Sequence, residues 1–209
     1  KKIDGYLIID FAYKELVYEK VVPDYFSWAP NENFISLRTN SKWCRSLGRR
    51  IGWIEAPEFI IEAMEDIQSC TILSPDKLHQ MAFGKFITTS IEDGSLDVYL
   101  EKIRKLYKNT AEKTVEIIQK YLDFPIIQPE GGLYVFMKVN TDGTKFVETV
   151  LTKTGVLFIP GQGFGTTGKN AVRVSFGPLV EEIDKIEQGI IKTAKYLNET
   201  KPFLKINQK

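Results

Sequence analysis

The 209-residue sequence predicts an α/β segment followed by an α+β segment, and three observations predict it. Short apolar runs of strand character crowd the first quarter of the chain, and a long amphipathic helix occupies the middle. Beyond that helix, short strands and helices alternate to the end.

The first run is Tyr6-Leu7-Ile8-Ile9, apolar as in a fully buried strand, and it begins almost at the first residue with no helix ahead of it. A polar and aromatic stretch broken by Pro23 and Pro30 follows. Phe34-Ile35-Ser36-Leu37 forms a second strand and Arg50 to Ile54 a third, which ends at Ala56-Pro57. Pro57 sits where a helix begins. Phe59, Ile60, Ala63, Met64 and Ile67 recur at helical spacing and predict one buried face. Ser74-Pro75-Asp76 opens the next helix with a capping hydroxyl, a proline at the first helical position and an early acid. From near Ser95, Tyr99, Ile103, Leu106, Ala111, Val115, Ile118 and Leu122 hold a helical period, giving about 26 residues or roughly 39 Å. Asp123-Phe124-Pro125 ends it. Strands at Leu133–Met137, Val156–Ile159 and Ala171–Phe176 follow, with a helix over Lys145–Thr154 and a last one from Val180 to about Asn198. The expected division is residues 1–95, a bridging helix over 96–123, and a second piece over 124–209.

Charge and cysteine content exclude several classes of function. With 28 Lys+Arg against 27 Asp+Glu the net charge is +1, too small a field for a nucleic-acid binder that works by neutralising phosphates. Cys44 and Cys70 lie far apart and His79 is the single histidine, so no zinc site built from Cys and His is expected. The thiols read as reduced and cytoplasmic. No signal peptide or apolar run long enough to span a membrane is visible, so no membrane partner is expected.

The chemistry concentrates between Ser36 and Trp53. A strand delivers Thr39, Ser41 and Lys42 into a loop, Gly48 lets the chain turn, and Arg50 returns at the head of the next strand. Two hydroxyls, an amine and a guanidinium then gather at the carboxyl edge of a sheet, where α/β proteins place ligands. Hydroxyls and a planar Arg fork suit a phosphate group. His79 lies among apolar neighbours and reads as structural, and Cys44 has no base beside it.

Thr39-x-Ser41-Lys42, five residues, then Gly48-x-Arg50-x-Gly52 is similar to the lysine motif of the class I/II aminotransferases, the fold-type I enzymes that use pyridoxal 5′-phosphate. By that resemblance Lys42 is the Schiff-base lysine and general acid–base, while Thr39 and Arg50 hold the cofactor phosphate. The strand end Asp10-Phe11-Ala12-Tyr13 resembles the family's Asp followed three residues later by Tyr, though Phe11 stands where the family often has Glu. It implies Asp10 on the pyridine nitrogen and Tyr13 on the ring's 3′ oxygen. Gly131-Gly132-Leu133-Tyr134 and Pro160-Gly161-Gln162-Gly163-Phe164-Gly165 resemble two further family segments. The latter is no dinucleotide fingerprint, because Thr166 occupies the last glycine position and a strand follows. Val172-Arg173-Val174-Ser175 resembles the strand whose arginine clamps the substrate α-carboxylate, which makes Arg173 the matching position.

The resemblance implies part of the fold-type I large domain followed by its α+β carboxyl-terminal small domain. It covers the second half of the family's pattern, so the remainder is expected ahead of residue 1. It further implies a cytoplasmic homodimer acting on an amino acid and a 2-oxo acid. The lysine loop is most similar to the histidinol-phosphate aminotransferase branch. Two alternatives stay open: a decarboxylase, lyase or synthase with the same cofactor contacts, and a non-catalytic segment that serves as an interaction unit.

Overall fold

Two strands, β1 (Leu7–Asp10) and β2 (Phe34–Thr39), pair in parallel, with Leu7 opposite Phe34 and Asp10 opposite Leu37. The third, β3 (Gly52–Glu55), runs antiparallel to β2 and completes a sheet of order β1-β2-β3. The computed structural model describes residues 5–18 and 33–200. The stretch broken by Pro23 and Pro30 lies outside them. The chain divides into two compact units, residues 1–104 and 105–209.

In the first unit, β3 starts at Gly52 rather than Arg50, because Arg50 adopts a left-handed conformation with φ 54° and ψ 48°. Gly52 faces the β2 backbone closely: a Cβ there would sit 2.8 Å from the Arg38 carbonyl oxygen. The expected burial of the first strand does not hold. Leu7 and Ile8 point to opposite faces and are 51% and 60% exposed, so among the described residues neither face of this edge strand is covered.

Helix α1 (Glu58–Thr71) follows Pro57 as expected, but none of its residues is buried, and Phe59 and Ile67 face outward. Periodicity fixes the helix, whereas burial of its stripe needs a partner. Helix α2 (Lys77–Glu92) is capped by Asp76 rather than Ser74. The Asp76 carboxylate accepts from the Leu78 and His79 N–H groups at 2.9 and 3.3 Å, and Pro75 stays outside the helix. An aromatic face holds α2 in place, with Phe83 5.9 Å from both the Trp43 and Trp53 rings and Phe86 5.7 Å from Tyr99. Helix α3 (Ser95–Tyr121) has 27 residues, and its residues divide between the two units.

The second unit carries β4 (Ile126–Ile127), β5 (Tyr134–Lys138), β6 (Ile159–Pro160) and β7 (Ala171–Ser175) in an antiparallel sheet of order β4-β5-β7-β6. Helix α4 (Gly143–Thr154) begins two residues ahead of expectation, where Asp142 caps it. Helix α5 (Ile183–Thr200) begins later than expected, because Val180 and Glu181 form a turn after the short helical turn Gly177–Leu179, with the Glu182 N–H donating to the Leu179 carbonyl at 2.8 Å. Val135, Met137 and Val172 from the sheet join Ile118, Phe176, Ile190 and Leu197 as buried core. Each such side chain contributes about 1.5–3 kcal/mol relative to exposure. The alternation leaves Tyr134, Phe136 and Arg173 on the other face.

Candidate active site

The site begins where β1 and β2 end. Parallel pairing sets the two carboxyl ends side by side, so the residues after Asp10 and after Thr39 become neighbours. Beyond β1 the chain turns at once: the exposed Asp10 carboxylate accepts from the Ala12 N–H at 2.9 Å, and Lys14 N–H donates to the Phe11 carbonyl at 3.1 Å. Fully buried Leu16 anchors the turn. Tyr13 is thereby presented towards the β2 end.

Beyond β2, the Thr39 hydroxyl donates to the Ile51 carbonyl at 2.6 Å. Its single proton is thus committed, so in the 2.8 Å contact between the Thr39 and Ser41 hydroxyls Ser41 is the donor. The Trp43 indole donates to the Thr39 carbonyl at 3.1 Å, and the Tyr99 hydroxyl donates to the Trp43 carbonyl at 3.0 Å. These bonds fix a tight loop around half-buried Lys42. Its Nζ lies 5.4 Å from the centre of the Tyr13 ring.

The predicted constellation of Asp10, Tyr13, Thr39, Ser41 and Lys42 therefore assembles at one sheet edge. Arg50 is linked to it by the Thr39–Ile51 bond, is exposed, and donates from Nη1 to the Leu47 carbonyl at 3.2 Å. The chain does turn at Gly48, within the short helical turn Leu47–Arg49, but the turn does not require a glycine. A Cβ on Gly48 would meet nothing within 4 Å, and the left-handed positions of this loop are Arg45 and Arg50, both at φ 54°. Burial pushes the Cys44 thiol up, which leaves it a poor nucleophile.

Arg173 belongs to the second unit, opposite Phe136 on β5 and Ile159 on β6. Its guanidinium carbon lies 4.1 Å from the Tyr134 ring centre and 4.7 Å from that of Phe164. Nε is buried and has no hydrogen-bond partner. Sequence reasoning matched the segments holding Tyr134 and Phe164 but gave neither residue a task. Arg38, which with Thr39, Ser41 and Lys42 carries the resemblance to the histidinol-phosphate branch, pairs with Glu55 at 2.8 Å and Glu15 at 3.6 Å.

Residues 1–190 match the family model for aminotransferase class I and II. Similar curated proteins include a (5-formylfuran-3-yl)methyl phosphate transaminase of Methanocaldococcus jannaschii, 28% identical over 92% of this chain and 50% of that protein. An aspartate aminotransferase of Pyrococcus abyssi is 28% identical over 95% of this chain and 50% of its own length. Among solved structures, an aromatic aminotransferase from Pyrococcus horikoshii superposes with a TM-score of 0.80 at 25% identity, over 94% of this chain and 52% of that one. The chain spans about half the length of the curated relatives it matches.

Proposed function

The chain belongs to the class I and II aminotransferases, and on that premise we propose that it supplies the cofactor lysine and the carboxylate-binding arginine of a pyridoxal-phosphate enzyme. The reaction is transfer of an amino group between an amino acid, or an amine like one, and a 2-oxo acid. The observation that carries this reading is Lys42, half-buried against Tyr13 beside a hydroxyl pair at the ends of two parallel strands.

The residues fit that cofactor. When bound, pyridoxal phosphate supplies an aldehyde for amine exchange and a protonated pyridine ring that draws electrons from the substrate α-carbon. Lys42 would hold it through Nζ and then carry the α-proton, a task for an amine positioned by the loop's hydrogen bonds. Asp10 would keep the ring nitrogen protonated, and the Tyr13 hydroxyl would donate to the ring oxygen. Thr39 and Arg50 would take the phosphate. Both hydroxyl protons run in series, from Ser41 to Thr39 to the Ile51 carbonyl. A phosphate dianion only accepts, so at least one of them must turn from its present acceptor to reach it.

Arg173 would clamp the substrate carboxylate. The rings of Tyr134 and Phe164 lie against its guanidinium, and the unpartnered Nε offers a donor that a carboxylate can complete. The proposal extends to a cytoplasmic homodimer, a reading that rests on the family resemblance and on the free state of Cys44 and Cys70. No helix among the described residues is long and apolar enough to cross a membrane.

Titration of the chain with pyridoxal phosphate tests the reading. A visible absorption band of lysine-bound cofactor that saturates in the wild type and is absent from Lys42→Ala is expected. A band of equal amplitude in both proteins contradicts it.

A further inference from the structure

Asn40 separates the two hydroxyl residues of the lysine loop and is completely buried, with 0% exposure. Asparagine is rarely so placed. Its Nδ2 lies 3.1 Å from Nε2 of His79 on α2, while its Oδ1 is buried without a partner. A buried amide oxygen that accepts nothing costs stability, and an apolar side chain of similar shape would avoid that cost. What the amide provides is a directional link between the loop and the helix.

That link closes a circuit. From Asn40 the contacts run to His79, whose ring stacks on Phe83 at 6.4 Å and 25°. Phe83 meets Trp43 at 5.9 Å, and the Trp43 indole donates to the carbonyl of Thr39, the residue next to Asn40. The Asn40 carbonyl in turn accepts the Cys44 N–H at 3.2 Å and so closes the turn that contains Lys42. With Nδ2 as donor, His79 Nε2 keeps its lone pair and the ring proton lies on Nδ1.

We propose that Asn40 and His79 are a positioning pair that fixes the lysine loop and holds Lys42 Nζ against Tyr13. The meaning of this for catalysis rests on the reading of Lys42 as the cofactor lysine. Neither residue touches the reacting atoms. Gln at position 79 presents an acceptor where Nε2 stands and preserves the link. Phe at 79 keeps the stacking and breaks it, and Leu at 40 breaks it from the other side while deleting the unpartnered oxygen.

The test measures acylation of Lys42 by acetic anhydride in the cofactor-free chain, peptide by peptide, together with amide exchange at Cys44. His79→Phe and Asn40→Leu should each raise both rates about fivefold, and His79→Gln should bring both back to within about twofold of the wild type. Unchanged rates in His79→Phe and Asn40→Leu, or a His79→Gln protein that behaves like His79→Phe, would overturn the pair. Asn40→Leu keeps the question decidable should His79→Phe fold poorly. Parallel borohydride trapping of pyridoxal phosphate judges the cofactor reading separately. Diffuse trapping in the wild type sinks that reading, while the acylation and exchange rates still decide the pair.

Discussion

Lys42 Nζ lies 5.4 Å from the centre of the Tyr13 ring, although the two residues follow different strands. Parallel pairing of β1 with β2 produces this meeting, since it brings both carboxyl ends to one edge. Both residues are half-buried, and a cation over a ring in such a setting contributes about 0.5–2 kcal/mol.

Tyr13→Phe keeps that ring and removes only the hydroxyl. It should weaken pyridoxal-phosphate retention about threefold to tenfold, the equivalent of one hydrogen bond of about 0.5–1.5 kcal/mol. Tyr13→Ala removes the ring as well and should weaken it further. Cofactor titrations of the two variants decide it, and affinities equal to that of the wild type in both would remove Tyr13 from the site.

Arg50 combines two opposed effects. Its left-handed backbone, φ 54° and ψ 48°, costs a non-glycine residue roughly 1 kcal/mol, while its guanidinium is the proposed phosphate ligand. Arg50→Gly should therefore raise the melting temperature and lower cofactor affinity about tenfold or more. A variant that loses stability would mean that the Arg50 side chain holds the loop.

Much of this site was legible from residue order. Thr39, Ser41 and Lys42 sit at a strand end because spacing along a strand is a local property, whereas the meeting of Tyr13 with Lys42 across the parallel pair is implied only by the family resemblance. Residue order makes Arg50 the head of a strand, because a left-handed arginine leaves no mark in composition or periodicity. The exposure of β1 and α1 has a different cause. Leu7, Ile8, Phe59 and Ile67 state that a face is apolar, not that a layer covers it. The Asn40–His79 link was hidden because it joins residues far apart in sequence.

Arg173 should act on substrate rather than on the cofactor. In an active enzyme containing this chain, Arg173→Ala should raise KM for amino acids about 10- to 100-fold, the loss of a charged hydrogen-bonded pair worth about 1.5–3 kcal/mol. Arg173→Lys should recover only part of this, because an ammonium cannot form the planar fork. An unchanged KM for every active substrate would count against the clamp.

Glu55 gives a pH dependence with a definite sign. Burial opposes its ionisation, but the Arg38 hydrogen bond and charge, together with smaller polar contributions from Trp53 and Ser36, outweigh that and hold the carboxyl below its ordinary 4.5. The unfolded chain therefore binds the proton more tightly. The contribution of Glu55 is complete above pH 4.5 and is lost as pH falls from there through the lowered value. Because the carboxylate is half exposed, its contribution stays under about 1 kcal/mol. Urea unfolding across this acid range should show a shallower loss for Glu55→Gln than for the wild type.

The most direct measurement is to incubate the chain with pyridoxal phosphate, reduce with borohydride, and map the modified lysines by mass spectrometry. The account predicts an adduct concentrated on Lys42, with the surface lysines little labelled and the adduct lost in Lys42→Ala. Labelling spread evenly over the lysines, and unchanged in total when Lys42 is replaced, would contradict it.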